Sequence, residues 1–328
     1  MKAIARDGYG PPDDLELREV DKPSIGEKGV LIRVRAASVN PYDWRMMRGE
    51  PRALVRFFPR KLKDWVPGAD VAGQVEEVGS KVTQFRPGDE VFGVCSGAFA
   101  EYAASNEKRL VRKPTGITWE QGASIPVAGC TALQAVRDHG RVRPGQRVLV
   151  NGAAGGVGTF TVQIAKALGA NVTGVCSTRN LNLVRSIGAD DVVDYTEEDF
   201  VTSGRRYDLL VQVNGNRTVK DVQRALAPHG SVVVVGGGVG HEDDAGDEPM
   251  GEVLTLMIKG MILSRFVRQR ASMFMGRVRT SDLMFIAEMI QTGKLRPVIE
   301  RTYPLADTAD AIRHLETGHA RGKLVVTV

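Results

Sequence analysis

Along the first third of the chain the apolar positions follow the short repeat of β-strands. Val30–Val34 (VLIRV) sets apolar against basic residues as a half-buried strand does, and Asp70–Val82 (DVAGQVEEVGSKV) repeats small and β-branched residues between glycines. Pro87-Gly88-Asp89 turns the chain into Glu90-Val91-Phe92. Short strands at close intervals, cut by Gly and Pro from Met1 to about Gly122, predict an antiparallel, barrel-like domain.

After Trp119 the period changes. Val127–Asp138 has helical spacing, Pro144-Gly145 turns into the apolar run Arg147–Val150, and a glycine loop leads to a helix over Phe160–Leu168 that stops at Gly169. There follow a strand over Asn171–Val175, a helix from about Asn180 to Ile187, the pair Val192-Val193, a strand over Tyr207–Val213, a helix through Leu226 and the strand Ser231–Val235 (SVVVV). Strands and helices in this rhythm predict an α/β domain, a doubly wound parallel sheet with helices on both faces. The C-terminal stretch carries helices over Ser281–Thr292 and Asp307–Thr317 and strands over Val298–Tyr303 and Lys323–Val328. Pattern alone leaves open which domain these last elements complete.

Composition narrows the function classes. At 328 residues the chain is long for one core and fits two domains, and 42% hydrophobic with 25% charged residues is ordinary for a soluble globular protein. MKAIARDGYG places charge and glycine where a signal peptide needs an apolar segment, and no apolar run approaches the roughly 20 residues that span a bilayer. The expectation is a cytoplasmic protein without membrane contact. Three widely spaced cysteines, Cys95, Cys130 and Cys176, argue against a disulfide scaffold. With no Cys-x-x-Cys pair, and with His139, His229, His241, His314 and His319 in no ligand spacing, no metal site is expected. The net charge of +5 is mild. Arg265, Arg268, Arg270, Arg277 and Arg279 form a loose basic stretch without a recognisable nucleic-acid module, so nucleic acid is not expected as a partner. Glu242–Glu248 (EDDAGDE) reads as a solvated acidic loop. Met46, Met47, Met257, Met273 and Met275 suit an apolar pocket or simple core filling.

The loop Asn151–Gly158 (NGAAGGVG) sits between a predicted strand and a predicted helix, the context a dinucleotide-binding loop requires. Gly155, Gly156 and Gly158 leave backbone N–H groups at a helix N-terminus open to a pyrophosphate, and Gly155, Gly156 and Val157 are the candidate contacts. In NAD-binding loops an acid about 20 residues on takes the ribose 2′-OH. Here the next strand ends in Cys176-Ser177-Thr178-Arg179-Asn180, with no carboxylate until Asp190. Ser177 and Thr178 can donate to phosphate oxygens and Arg179 can pair with a dianion, which points to NADPH. The alternative at this point is that Ser177 or Thr178 caps the following helix and Arg179 is solvated.

ASVNPYDW (Ala37–Trp44), PGADVAGQVEEVG (Pro67–Gly79), FRPGDEVFG (Phe85–Gly93), the glycine loop with VQIAKALGA (Val162–Ala170), and GHARGKLVV (Gly318–Val326) together span nearly the whole chain. In this order they resemble the zinc-independent quinone oxidoreductase-like branch of the medium-chain dehydrogenase/reductase superfamily. The resemblance implies a Rossmann doubly wound sheet, residues 123–275, plus a chaperonin-10-like β-barrel domain built from residues 1–122 and 276–328. It implies NADPH-dependent reduction of a quinone or of the C=C bond of an enone or enal, and a homodimer or monomer. Zinc-dependent relatives carry a cysteine in the segment matched by Val39–Asp43 and a histidine in the one matched by Gly68-Ala69-Asp70, and this chain has neither. Where relatives often carry an aspartate near the end of the Tyr207–Val213 strand this chain has Gln212, and Asn214 is also atypical.

Without zinc, donors must polarise the carbonyl oxygen where negative charge grows. Asn40, Tyr42 and Asp43 form the candidate catalytic set, Asn40 and Tyr42 as donors and Asp43 more as organiser of their loop than as general acid. Asn40 is also a candidate cofactor contact. The resemblance places Thr131 and Val213 beside the nicotinamide, Tyr195 against the adenosine, and Lys323 within reach of the cofactor; Gly236, just past Val235, completes the set. The alternatives are a turn-stabilising Asn40 before Pro41, a packed Tyr42 or Tyr195, a helix-facing Thr131 hydroxyl and a Lys323 solvated at a strand edge. A non-catalytic NADPH-binding sensor on the same fold is the competing function.

Overall fold

The computed structural model describes residues 1–49, 63–213, 217–235 and 269–328. Gly236, Asn214, the Glu242–Glu248 run, His241, Met257, Arg265 and Arg268 lie outside them. The chain divides into two units, Met1–Cys130 with Val278–Val328, and Thr131–Arg277.

In the first unit β1 (Lys2–Ala5) and β2 (Glu16–Glu19) form an antiparallel ribbon. The main sheet begins with β3 (Gly29–Ser38), β4 (Asp70–Val78), β5 (Glu90–Val94), β6 (Tyr102–Asn106) and β7 (Leu110–Arg112). In the second unit β8 (Arg147–Asn151), β9 (Asn171–Cys176), β10 (Asp191–Asp194), β11 (Tyr207–Gln212), β12 (Leu226–Val235) and β13 (Arg270–Phe274) pair only in parallel. Then β14 (Ile299–Pro304) and β15 (Lys323–Thr327) return to the first unit, whose sheet runs β14-β15-β3-β4-β5-β7 with β6 also on β3.

The length of β3 explains how it serves three partners. Register shifts between Leu31 and Ile32 and between Val34 and Ala36 bend it, so that β4 follows one side while β6 and β15 share the other. Its inward residues Val30, Ile32 and Val34 join Val71, Val75 and Leu324 in one core. The C-terminal elements that pattern could not assign therefore belong to this first core, through Val325 opposite Ser38 and Val326 opposite Ala37.

The second unit's sheet has the order β10-β9-β8-β11-β12-β13, with the direction of winding reversing between β8 and β11. Val148, Leu149 and Val150 are fully buried, as a central parallel strand requires. One expected helix differs in kind. Pro126–Leu133 is α-helical, but Gln134–His139 widens into a π-turn in which the Gly140 N–H reaches back to Ala135 O. The helix Pro41–Arg48, unmarked by any apolar stripe, is an addition; it ends at Gly49 in the left-handed region. No described helix is long and apolar enough to cross a membrane.

Removing residues after Gly322 deletes β15 from between β14 and β3. Amide exchange in β3 and β14 is expected to accelerate sharply in this truncated chain while that of β8 and β9 holds; unchanged protection in β3 would contradict the pairing described here.

Candidate functional site

The first candidate site is the C-terminal edge of the second unit's parallel sheet, where open α/β sheets bind ligands at the winding reversal. Gly152 leaves β8 with φ of 86°, a conformation that disfavours side chains. A Cβ on Gly158 would stand 2.0 Å from Gly152 O, so the turn itself requires this glycine. Gly155 differs: a Cβ there would meet nothing nearer than Gly152 O at 3.7 Å. The helix Gly156–Ala167 makes its first backward bond from Thr159 N–H to Gly155 O at 2.9 Å. The N–H groups of Gly156, Val157 and Gly158 thus precede the helical ladder, beside the open Gly155, and this cradle fits a pyrophosphate.

Backbone bonds bring Tyr195 and Val213 to the same edge. Gly152 and Ala153 N–H both donate to Val175 O, which sets the loop against the end of β9. Ser177, Thr178 and Arg179 leave that strand end; Ser177 occupies the N-cap of the short turn Thr178–Asn180, yet its side chain makes no capping bond. Tyr195 donates its N–H to Cys176 O at 3.1 Å and is half exposed. Val213 N–H donates to Asn151 O at 3.1 Å. Thr131 is buried beside Gly276, where a Cβ would stand 2.1 Å from the Thr131 hydroxyl oxygen. Gln212, atypical for the resembled branch, faces Asn151 across the β8–β11 register, Asn151 Nδ2 donating to Gln212 Oε1 at 3.4 Å.

Asp194 was not singled out from sequence. It closes β10 opposite Cys176, and its Oδ1 accepts from Thr196 N–H at 3.0 Å and Thr196 Oγ1 at 2.7 Å. Hydrogen bonding from Thr178, then from Thr196, outweighs desolvation and holds its carboxyl below the usual range.

The second candidate site is a buried polar cluster in the first unit. Asn40 is 2% exposed and Lys323 4%. The Lys323 ammonium donates to Asn40 Oδ1 at 2.6 Å and Val39 O at 3.1 Å, and lies 3.6 Å from Asp70 Oδ2. Asn40 Nδ2 donates to Asp70 Oδ2 at 2.9 Å, Ser38 Oγ to the same oxygen at 2.8 Å, and Val127 N–H to Asp70 Oδ1 at 3.0 Å. One alternative is corrected here. Lys323 is not solvated at a strand edge: it is buried, and three acceptors inside the unit surround its ammonium. Both ends of the Asn40 amide are engaged within the same cluster, by Lys323 and Asp70. Ser38 and Asp70 are members of the cluster that sequence reasoning missed; an acid heading an otherwise apolar strand was the available signal.

Asp43 heads the helix Pro41–Arg48, accepting Asn40 N–H on Oδ2 at 2.8 Å. Burial pushes its carboxyl up to about 7; the Asp70 charge adds to this, while the Asn40 N–H and Lys323 oppose it. Burial likewise pushes Asp70 up and Lys323 down, each charge restraining the other's shift. The donors converging on Asp70 are those of a carboxylate facing an ammonium. Tyr42, on the same helix, is 52% exposed. Met47 is core filling, fully buried. Among the described residues no group of three or more His, Cys, Asp or Glu side chains converges to hold a metal ion.

Comparison with known proteins covers both units. The alcohol dehydrogenase GroES-like domain family matches residues 26–115, and the zinc-binding dehydrogenase family matches residues 187–326. The chain is 33% identical to a chloroplast envelope quinone oxidoreductase homolog of Arabidopsis thaliana over 340 aligned residues, 99% of this chain and 98% of that protein. It is 34% identical to the chloroplastic NADPH-dependent alkenal/one oxidoreductase of the same plant, over 99% of this chain and 79% of that one. Among solved structures, the quinone oxidoreductase of Coxiella burnetii superimposes with a TM-score of 0.86 at 30% identity, covering 100% of this chain and 99% of the other.

The Asp43 carboxyl gives a pH test. Its folded pKa is raised above the unfolded value of 3.8, so its contribution favours the fold at low pH and is lost as pH rises toward 7. Asp43→Asn keeps an acceptor for the Asn40 N–H but cannot ionise. The variant's stability relative to the parent should rise between pH 4 and 7 by on the order of 2–4 kcal/mol. Denaturation midpoints that stay parallel over this range would contradict the assignment.

Proposed function

Because the chain belongs to the quinone oxidoreductase-like branch of the medium-chain dehydrogenase/reductase superfamily, an oxidoreductase group working with nicotinamide cofactors, we propose that it is a zinc-independent, NADPH-dependent reductase of quinones or α,β-unsaturated carbonyls. The observation that carries the cofactor reading is the open Gly155 cradle beside a strand end with Ser177 and Arg179 in place of an acid. Bound there, the dinucleotide supplies a hydride from the nicotinamide C4.

The protein's own residues divide the remaining work. Gly156 and Val157 N–H groups hold the pyrophosphate, and the Ser177 hydroxyl with the Arg179 guanidinium holds the 2′-phosphate. Tyr42 is the exposed member of the candidate catalytic set, and its hydroxyl donates to the acceptor's carbonyl oxygen as charge grows there. Asn40 and Asp43 are positioning residues that fix the start of the Tyr42 helix. Zinc is disfavoured by the donor set itself: Asn40 and Asp70 already share the Lys323 cation, which would repel a second one. The acceptor class draws support from relatives named for quinone and alkenal/one reduction.

Stopped-flow oxidation of NADPH against a panel of quinones and enones tests this reading. Saturable binding without acceptor-dependent oxidation would favour a non-catalytic sensor instead. Arg179→Ala should raise KM for NADPH roughly tenfold to a hundredfold and leave NADH use nearly unchanged; equal losses with both would sink the 2′-phosphate role. Tyr42→Phe should lower kcat by about tenfold or more with KM for NADPH unchanged.

A further inference from the structure

At the exit of β9 the hydroxyl protons can be assigned one by one. Thr196 Oγ1 donates to Asp194 Oδ1 at 2.7 Å, and the Thr178 and Thr196 hydroxyl oxygens stand 3.0 Å apart. A hydroxyl carries one proton. That of Thr196 lies on the Asp194 carboxylate, and the Thr178 side chain hydrogen-bonds the same carboxylate, so the Thr178 proton is turned inward to Asp194 as well. Thr178 therefore offers a ligand lone pairs and no donor. Ser177 is the opposite case. Its oxygen accepts from Asn180 Nδ2 at 3.2 Å, and its own proton stays available to donate.

In this arrangement Thr178 serves as an acceptor rather than a phosphate donor, and Asp194 gains a place. An acid at the end of the second strand of such sheets takes the ribose 2′-OH. Here β9 ends without one, but β10 runs in register beside it and brings Asp194 level with Cys176, behind Thr178. We propose that Asp194, acting through Thr178, is a specificity-determining residue that lets the site take a free ribose 2′-hydroxyl, so that the protein uses NADH as well as NADPH. This rests on the dinucleotide reading above. A ribose 2′-hydroxyl donates to Thr178 Oγ1. A 2′-phosphate meets the Ser177 proton and the Arg179 cation, but also the Asp194 charge behind Thr178. The two dinucleotides are held by different residues of one short loop.

Titration calorimetry on the full-length chain, with NADPH and with NADH, tests this. The parent protein should bind both. Asp194→Asn removes the charge and should tighten NADPH roughly tenfold without tightening NADH. Thr178→Val leaves the charge and removes the acceptor; it should weaken NADH by roughly threefold to tenfold and NADPH by about twofold at most. Parent protein that binds NADPH and not NADH overturns the inference, as does an affinity ratio that Thr178→Val and a folded Asp194→Asn both leave unchanged. Failure to bind either dinucleotide overturns the cofactor reading itself and this inference with it.

Discussion

A charged amine shut away from water needs its counter-charge inside the protein, and most of the first unit is arranged around that need. Lys323 sits on β15, close to the end of the chain, while its acceptors Val39 and Asn40 lie 284 and 283 residues earlier. Asp70 on β4 supplies the anion, and it also receives Ser38 from the end of β3 and the Val127 N–H at the start of the helix Pro126–Leu133. Removing one partner from a buried pair of this kind costs about 3–5 kcal/mol, because the survivor keeps its desolvation without compensation. Two strands, two helix starts and the C-terminal strand are thereby held in one arrangement. The apolar core sets how tightly these elements pack, whereas the cluster sets where their polar ends must lie.

The second unit solves a different problem, bringing backbone close to a charged ligand. Reversal of the winding between β8 and β11 leaves an edge where the first βα turn is free of neighbouring connections. Its glycines divide the labour: Gly152 and Gly158 make the turn sterically possible, and Gly155 keeps its outer side open. The neutral Asn151–Gln212 pair at the reversal fits this plan. An aspartate in place of Gln212 would set a charge against a buried amide at the edge where an anionic ligand enters.

The elements legible in sequence are those whose burial follows one period. VLIRV became the first half of β3, and Asn171–Val175 became β9 with one residue more. The helix Pro41–Arg48 was invisible because PYDWRMMR buries only Asp43 and Met47, one of them a carboxylate, so no apolar stripe marks it. The glycine loop was readable because strand, turn and helix follow one another locally. Sequence could not separate Gly158 from Gly155, since a requirement imposed by the chain's own carbonyl and one imposed by a ligand select the same residue type. The Lys323 cluster lay beyond reach for another reason. Its bonds join residues from distant parts of the chain, and each member alone has an ordinary explanation: Asp70 as a strand start, Asn40 as a turn residue, Lys323 as an exposed end.

Asp194 marks where counting along the chain stops serving as a guide to chemistry. A spacing rule looks for the ribose acid at the end of the strand that follows the glycine loop, because a side chain there reaches the ligand directly. Neighbouring strands in a sheet lie only about 4.8 Å apart, less than the length of two hydroxyl side chains in series. An acid at the end of the next strand can therefore act at the same point if a hydroxyl carries its influence across. Thr178 does so here: its single proton, like that of Thr196, is directed toward Asp194. Seen only as CSTRN, the strand end looks built for a phosphate. With the carboxylate behind it, the same segment offers one donor at Ser177 and one acceptor at Thr178, and a ligand's 2′ group is read by whichever of the two it matches.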